Sequence, residues 1–134
     1  MKECIFCEII GKAERIFLSN TKAIAVYDKY PISPGHALII PRRHIPDFFS
    51  LDDDEVKALY SLINEVRAKI DLEYKPDGYN IGINNGRAAG QTIEHLHIHL
   101  IPRYKGDVEM PAGGVRHILL NNAKFYKEIV GGKI

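Results

Sequence analysis

His95-Leu96-His97-Ile98-His99-Leu100-Ile101-Pro102 places three of the chain's six histidines on alternate positions within five residues. Alternation of imidazole with aliphatic side chains is the period of a half-buried β-strand, whose successive side chains point to opposite faces. The pattern predicts that the three imidazoles share one face, with Leu96, Ile98 and Leu100 on the other, toward the core. A rise of roughly 3.3 Å per residue spaces same-face neighbours by roughly 6.5 Å. That is wide for three ligands of one tetrahedral ion with Zn–N bonds of about 2.0–2.1 Å. A histidine-rich polar face, a metal cluster, and nucleophilic or acid–base chemistry on an anionic substrate are the three readings at this point.

Gly90-Gln91-Thr92 lies directly ahead of the histidine run. A glycine lets backbone approach a ligand closely, and an amide plus a hydroxyl can hold phosphate oxygens without adding charge. The expectation is that the N–H groups here, with the Gln91 and Thr92 side chains, point into the space that the imidazoles face. An ordinary turn is the alternative.

At 134 residues the chain is expected to form one domain, 1–134, with a single core. Apolar residues at 46% and charged residues at 26% are the proportions of a globular protein. No apolar run is long enough for a membrane span and Met1-Lys2-Glu3-Cys4 opens no signal peptide, so a cytoplasmic location without membrane partners is expected. A net charge of +1 argues against general nucleic-acid binding and leaves a local phosphate site open. The two cysteines, Cys4 and Cys7, are too close for a strongly stabilising disulfide, and half a zinc site is the stronger alternative.

Outward from the histidine run, Cys4 to Gly11 has helical apolar spacing ending at a glycine. Arg15–Ser19 and Ala23–Tyr27 suggest a hairpin, residues 28–35 a loop, and His36–Ile40 a buried strand. From Asp52 the period turns helical, with Val56, Leu59, Tyr60, Ile63, Val66 and Ile70 on one stripe. Asp52 is the expected N-cap, Glu55 completes a capping box, and Leu51 is placed to staple onto Val56. Tyr79–Ile83 is a further strand, and residues 121–129 suggest a short final helix. Hairpin-linked strands with one long helix indicate an α+β protein whose sheet of about five strands is mostly antiparallel. Neither a G-x-G-x-x-G nor a G-x-x-x-x-G-K signature is present.

The stretch from Gly90 to Arg103 resembles the signature of the histidine triad nucleotide hydrolases and transferases, His-φ-His-φ-His-φ-φ with φ apolar. Cys4-Ile5-Phe6-Cys7, Tyr27 to Pro31, and Pro34 to Pro41 are similar to further motifs of that family, in its order. The resemblance covers about residues 4–107; the tail, about 108–134, lies beyond it. It implies the HIT-like α+β fold, as a homodimer. It also implies that His97 attacks the α-phosphorus of a purine nucleotide and that His99 contacts phosphate and assists the leaving group. Gly90, Gln91 and Thr92 are then the α-phosphate contacts, Asp28 the ribose contact, and Asn84 a phosphate-side contact. His36 stands beside the triad, while His117 has no counterpart and is expected on the surface or in packing. Relatives with the cysteine pair imply structural zinc on Cys4, Cys7, His44 and His95, which removes His95 from catalysis; no organic cofactor is implied. Dinucleoside polyphosphate hydrolysis is the favoured activity, with adenosine 5′-monophosphoramide hydrolysis or a non-catalytic nucleotide sensor as alternatives. Participation of the long helix in the dimer is expected through outer apolar positions such as Leu62.

Overall fold

The computed structural model describes residues 3–119. In chain order the elements are α1 (Ile5–Lys12), β1 (Leu18–Ser19), β2 (Ala23–Tyr27), β3 (Ala37–Pro41), α2 (Asp53–Tyr74), β4 (Gly78–Gly82) and β5 (Ile98–Arg103). Short 3₁₀ turns lie at Phe48–Ser50, Arg87–Ala89 and Gly114–Leu119. The strands form one antiparallel sheet in the order β1-β2-β3-β5-β4. β3 and β5 are antiparallel neighbours although α2 and β4 intervene in sequence, so the segment after β3 and the loop ahead of β5 converge at one end of the sheet.

The two sheet faces carry separate apolar clusters, as strand alternation requires. On one face Ala25, Ala37, Ile39, Ile98 and Leu100 pack with Leu59, Leu62, Val66 and Ile70 of α2. On the other, Ile24, Val26, Leu38 and Ile40 pack with Phe6 and Ile9 of α1. The α2 start matches its expectation: Asp52 Oδ1 accepts from the Glu55 N–H at 2.8 Å and Glu55 Oε1 accepts from the Asp52 N–H at 3.1 Å.

The buried stripe of α2 is rotated from the one expected. Val56 and Tyr60 are exposed, whereas Leu62 is fully buried. The reason is Glu55, which is turned inward to meet Arg43 through Nε–Oε2 and Nη2–Oε1 contacts of 2.9 and 2.6 Å. Leu62 therefore offers no outer surface to a second copy. The first helix also passes through Gly11 and ends at Ala13, which takes the left-handed conformation (φ 57°) with its N–H on the Ile9 carbonyl. The hairpin, the β3 strand and the β4 strand fall within a residue or so of their expected bounds, β1 being shorter. The helix expected at 121–129 lies outside the described residues. Among the described residues no helix is long and apolar enough to cross a membrane.

The strand at the centre of the sequence pattern begins only at Ile98. β3 pairs with Ile98, His99 and Leu100, while the Leu96 N–H bonds instead to the Ile45 carbonyl at 2.7 Å. His95 and His97 thus precede the ladder, on a segment held to the chain after β3. His97 and His99 line one cleft with ring centroids 5.2 Å apart, whereas His95 presents Nδ1 to Cys4 and Cys7.

Candidate active site and metal centre

A cleft of about 900 Å³ opens on the α1 side of the sheet, within the range of small-ligand sites. His97 and His99 lie in its floor, and Asp28, His36, Asn84, Gly90 and Thr92 also line it. Ile5, Phe6, Ile93 and Ile101 give it an apolar wall. Of the expected substrate contacts, all but Gln91 come together here.

Hydrogen bonds assign the neutral tautomers of the histidines, because a carbonyl can only accept and a backbone N–H only donate. His97 Nδ1 lies 2.9 Å from the His95 carbonyl, so Nδ1 carries the proton and Nε2 keeps its lone pair. The Ile32 N–H donates to His36 Nδ1 at 3.2 Å, which leaves the proton on His36 Nε2. That proton stands between His99 Nδ1 at 3.0 Å and Asp28 Oδ2 at 3.3 Å. Where His99 Nδ1 accepts it, His99 carries its own proton on Nε2 as a donor.

Burial favours the neutral forms of both supporting rings. His36 is held below the ordinary histidine range by burial, opposed by the Asp28 carboxylate. His99 is pushed down to about 4, first by burial and then by His97 and His36, again against Asp28. The His97 and His99 rings meet edge-to-face with centroids 5.2 Å apart. Asp28 also closes a turn, since its Oδ1 accepts the Tyr30 N–H at 2.8 Å.

Gln91 is placed differently from its neighbours. Its Nε2 donates to the Pro46 carbonyl at 2.9 Å, and its Oε1 accepts the Gly86 N–H at 2.7 Å. It lines a smaller cavity with Cys4, His44 and Glu94, and fastens the 86–91 loop to the 45–46 segment. The Gly90 and Gln91 N–H groups are bonded to the carbonyls of Arg87 and Gly86. Gly90 has φ 93°, a conformation that favours glycine. Within the cleft, the sequence reading missed Arg15, Lys29, Asn80 and His117. Arg15 and Lys29 carry no periodic signal, and His117 reaches the cleft because the 114–119 turn folds back beside β4. Its Nε2 lies 3.0 Å from the Ala112 carbonyl.

A second constellation joins Cys4, Cys7, His44 and His95, whose candidate ligand atoms all lie within 4.8 Å of one another. His95 Nε2 donates to the Pro41 carbonyl at 2.7 Å, which leaves the Nδ1 lone pair facing Cys4 Sγ at 3.4 Å and Cys7 Sγ at 3.5 Å. Cys7 Sγ is 3.3 Å from His44 Nδ1. Tetrahedral zinc with Zn–S near 2.3 Å and Zn–N near 2.05 Å requires N···S edges of roughly 3.6 Å. The observed edges and the donor set therefore fit that ion. Asp28, His36 and His99 form a second close group. There the Ile32 N–H occupies His36 Nδ1, so Nε2 keeps its proton and makes a poor ligand.

Comparison with known proteins identifies the family. The HIT domain family model matches residues 11–106. An uncharacterized HIT-like protein of Methanocaldococcus jannaschii is 38% identical over 133 residues, covering 96% of this chain and 99% of that protein. The bis(5′-adenosyl)-triphosphatase of Dictyostelium discoideum is 32% identical over 118 residues, 88% of this chain and 72% of the relative. Among solved structures, a Zn-bound histidine triad family protein from Mycobacterium smegmatis superposes with a TM-score of 0.71 at 25% identity, covering 94% of this chain and 97% of that one. From the family match, the near full-length relative and the shared fold, we conclude that the chain belongs to the HIT domain family.

Proposed function

We propose that the protein hydrolyses purine nucleotides at the α-phosphate through a covalent nucleotidyl-His97 intermediate, with a dinucleoside polyphosphate as substrate. The observation that carries this reading is the His97 tautomer. The His95 carbonyl holds the proton on Nδ1, so the neutral ring offers its Nε2 lone pair in the cleft. In the first step a bond forms between Nε2 and the α-phosphorus while the bond to the leaving phosphate oxygen breaks, and the polyphosphate departs with the electron pair. His97 becomes an Nδ1-protonated cation, stabilised by the His95 carbonyl. His99, oriented by His36, donates from Nε2 to the phosphoryl or leaving oxygen. Water then attacks phosphorus, the N–P bond breaks with its pair returning to Nε2, and the water's proton leaves with product phosphate or solvent.

Asp28 is assigned to the ribose hydroxyls, Asn84, Gly90 and Thr92 to the phosphate side, and Gln91 to holding their loop in place. The named activity of the Dictyostelium relative supports the dinucleotide substrate over an adenosine phosphoramidate. Cys4, Cys7, His44 and His95 would hold zinc as a structural ion, joining α1 and the segment after β3 to the root of β5. A cytoplasmic homodimer is part of the same reading.

The test is mass spectrometry after rapid mixing with a diadenosine polyphosphate or an adenosine phosphoramidate. An adenylyl group on His97, absent from His97→Ala, is the expected result. Nucleotide binding by calorimetry without any adduct or turnover would refute the enzyme reading and favour a nucleotide sensor.

A further inference from the structure

We infer that Phe6 is a positioning residue for His97, and that ligation of metal by the cysteines on either side of it fixes that position. The inference rests on the reading of His97 as the nucleophile. Phe6 lies between Cys4 and Cys7 at the start of α1 and is only 4% exposed. Its ring meets His95 edge-on at 5.8 Å with an interplanar angle of 89°, and His97 at 5.0 Å with 63°. One aromatic ring thus braces both a metal-centre histidine and the nucleophile, in geometries favourable to aromatic pairs.

The metal centre reaches His97 by a second route. His95 presents Nδ1 to the two sulfurs, while its carbonyl accepts the Nδ1 proton of His97. His95 is fully buried and is secured on its far side by the Pro41 carbonyl. His97 is therefore seated between a carbonyl and an aromatic edge, each belonging to, or flanked by, a candidate metal ligand.

The remaining supports of α1 are weaker at its first turn than farther along. Ile9 is buried in the α1-side cluster, but Ile5 is half exposed. Within the first turn, Phe6 itself packs in that cluster, and the Cys4 cap of the Cys7 N–H and the sulfur–imidazole contacts add to what sets its position. Joining both sulfurs to His44 and His95 through one ion turns these contacts, each 3.3–3.5 Å long, into a rigid frame. Without it, the ring that abuts His97 has greater latitude and the His97 Nδ1 hydrogen bond loses its constraint.

The experiment uses the full chain with ¹⁵N-labelled histidine, at one pH near 8, and reads the His97 ring nitrogens by two-bond ¹H–¹⁵N correlation. Three samples are compared: zinc-loaded wild type, chelated wild type, and zinc-loaded Phe6→Leu, which keeps apolar volume but removes the ring edge. Zinc-loaded wild type should show a single Nδ1–H tautomer. The other two should show averaged shifts or line broadening at His97, with turnover slowed about tenfold in kcat and a smaller change in KM. Retention of one sharp Nδ1–H tautomer in both perturbed samples would overturn the inference, whatever the activity. Altered His97 signals with no adenylyl adduct in wild type would instead uphold the positioning and refute the nucleophile reading. The chelated sample needs no substitution, so misfolding of Phe6→Leu cannot decide the result.

Discussion

Replacing Glu55 with Gln tests how the fold holds the segment that carries His44. The Glu55 carboxylate accepts from Arg43 Nε at 2.9 Å, from Arg43 Nη2 at 2.6 Å and from the Asp52 N–H at 3.1 Å. The Arg43 contacts chiefly, then the Asp52 N–H, hold its carboxyl down to about 2 in spite of burial. Against an ordinary value near 4.3, this corresponds to a ceiling of roughly 3 kcal/mol of folding stability. The Arg43 side chain is 53% exposed, so solvent screening reduces the expectation to about 2 kcal/mol. Gln has the same shape and keeps one oxygen for the Asp52 N–H, so the helix cap survives while the paired Arg43 contact is lost. At roughly 3–5 °C per kcal/mol for a domain of this size, Tm should fall by about 6–10 °C at pH 7.

The sign of the pH dependence follows from the depressed value. Glu55 contributes its stability above its unfolded pKa, and that contribution is lost as pH falls toward 2. Urea unfolding of wild type and Glu55→Gln at pH 7, 4.5 and 3 should show a gap that shrinks by about half at pH 3. A gap below about 0.5 kcal/mol at pH 7, or one unchanged at pH 3, would refute the electrostatic account. Because Arg43 adjoins His44, the same variant should bind zinc more weakly in a competition titration with a chelating dye.

Chelation of zinc-loaded protein should lower Tm by about 8–13 °C, since an ion at 100 times its Kd contributes about 2.7 kcal/mol. Cys4→Ser should show no such response in the same melt; an equal shift there would place the metal elsewhere. Gly90→Ala tests a backbone constraint, because an added Cβ meets nothing nearer than 3.9 Å and only φ 93° opposes it. A loss of about 1 kcal/mol in denaturant unfolding is expected, and an unchanged midpoint would contradict it. For the pH profile, His99 pushed down to about 4 stays neutral through the mildly acidic range. Its burial favours folding above its unfolded pKa near 6.5, and this contribution is lost as pH falls toward 4. The His99 ring nitrogens, read by ¹H–¹⁵N correlation, should therefore show the neutral form from pH 7 to pH 5.5; a titration midpoint near 6.5 would show that His99 is not shielded.

The local sequence was sufficient wherever a short-range rule applied. Asp52 with Glu55 marks the start of α2, and alternation marks β5 and its core face at Ile98 and Leu100. The density of unusual residues at 90–99, with Asp28, His36 and Asn84, was enough through family resemblance to name seven of the residues that line the cleft. Side-chain direction away from regular structure was not legible. Gln91 turned to Pro46 and Gly86 because two loops distant in sequence meet beside it. The α2 stripe rotated because Glu55 had a partner twelve residues upstream, and a charge pair of that kind leaves no mark on apolar periodicity. Family resemblance alone proposed different roles for the three evenly spaced histidines, whereas their polar partners are brought up only in three dimensions. Alternation determined that they could share a site, whereas the Pro41 carbonyl, the His95 carbonyl and the His36 imidazole, each brought up by the chain's tertiary path, decided which nitrogen each one offers.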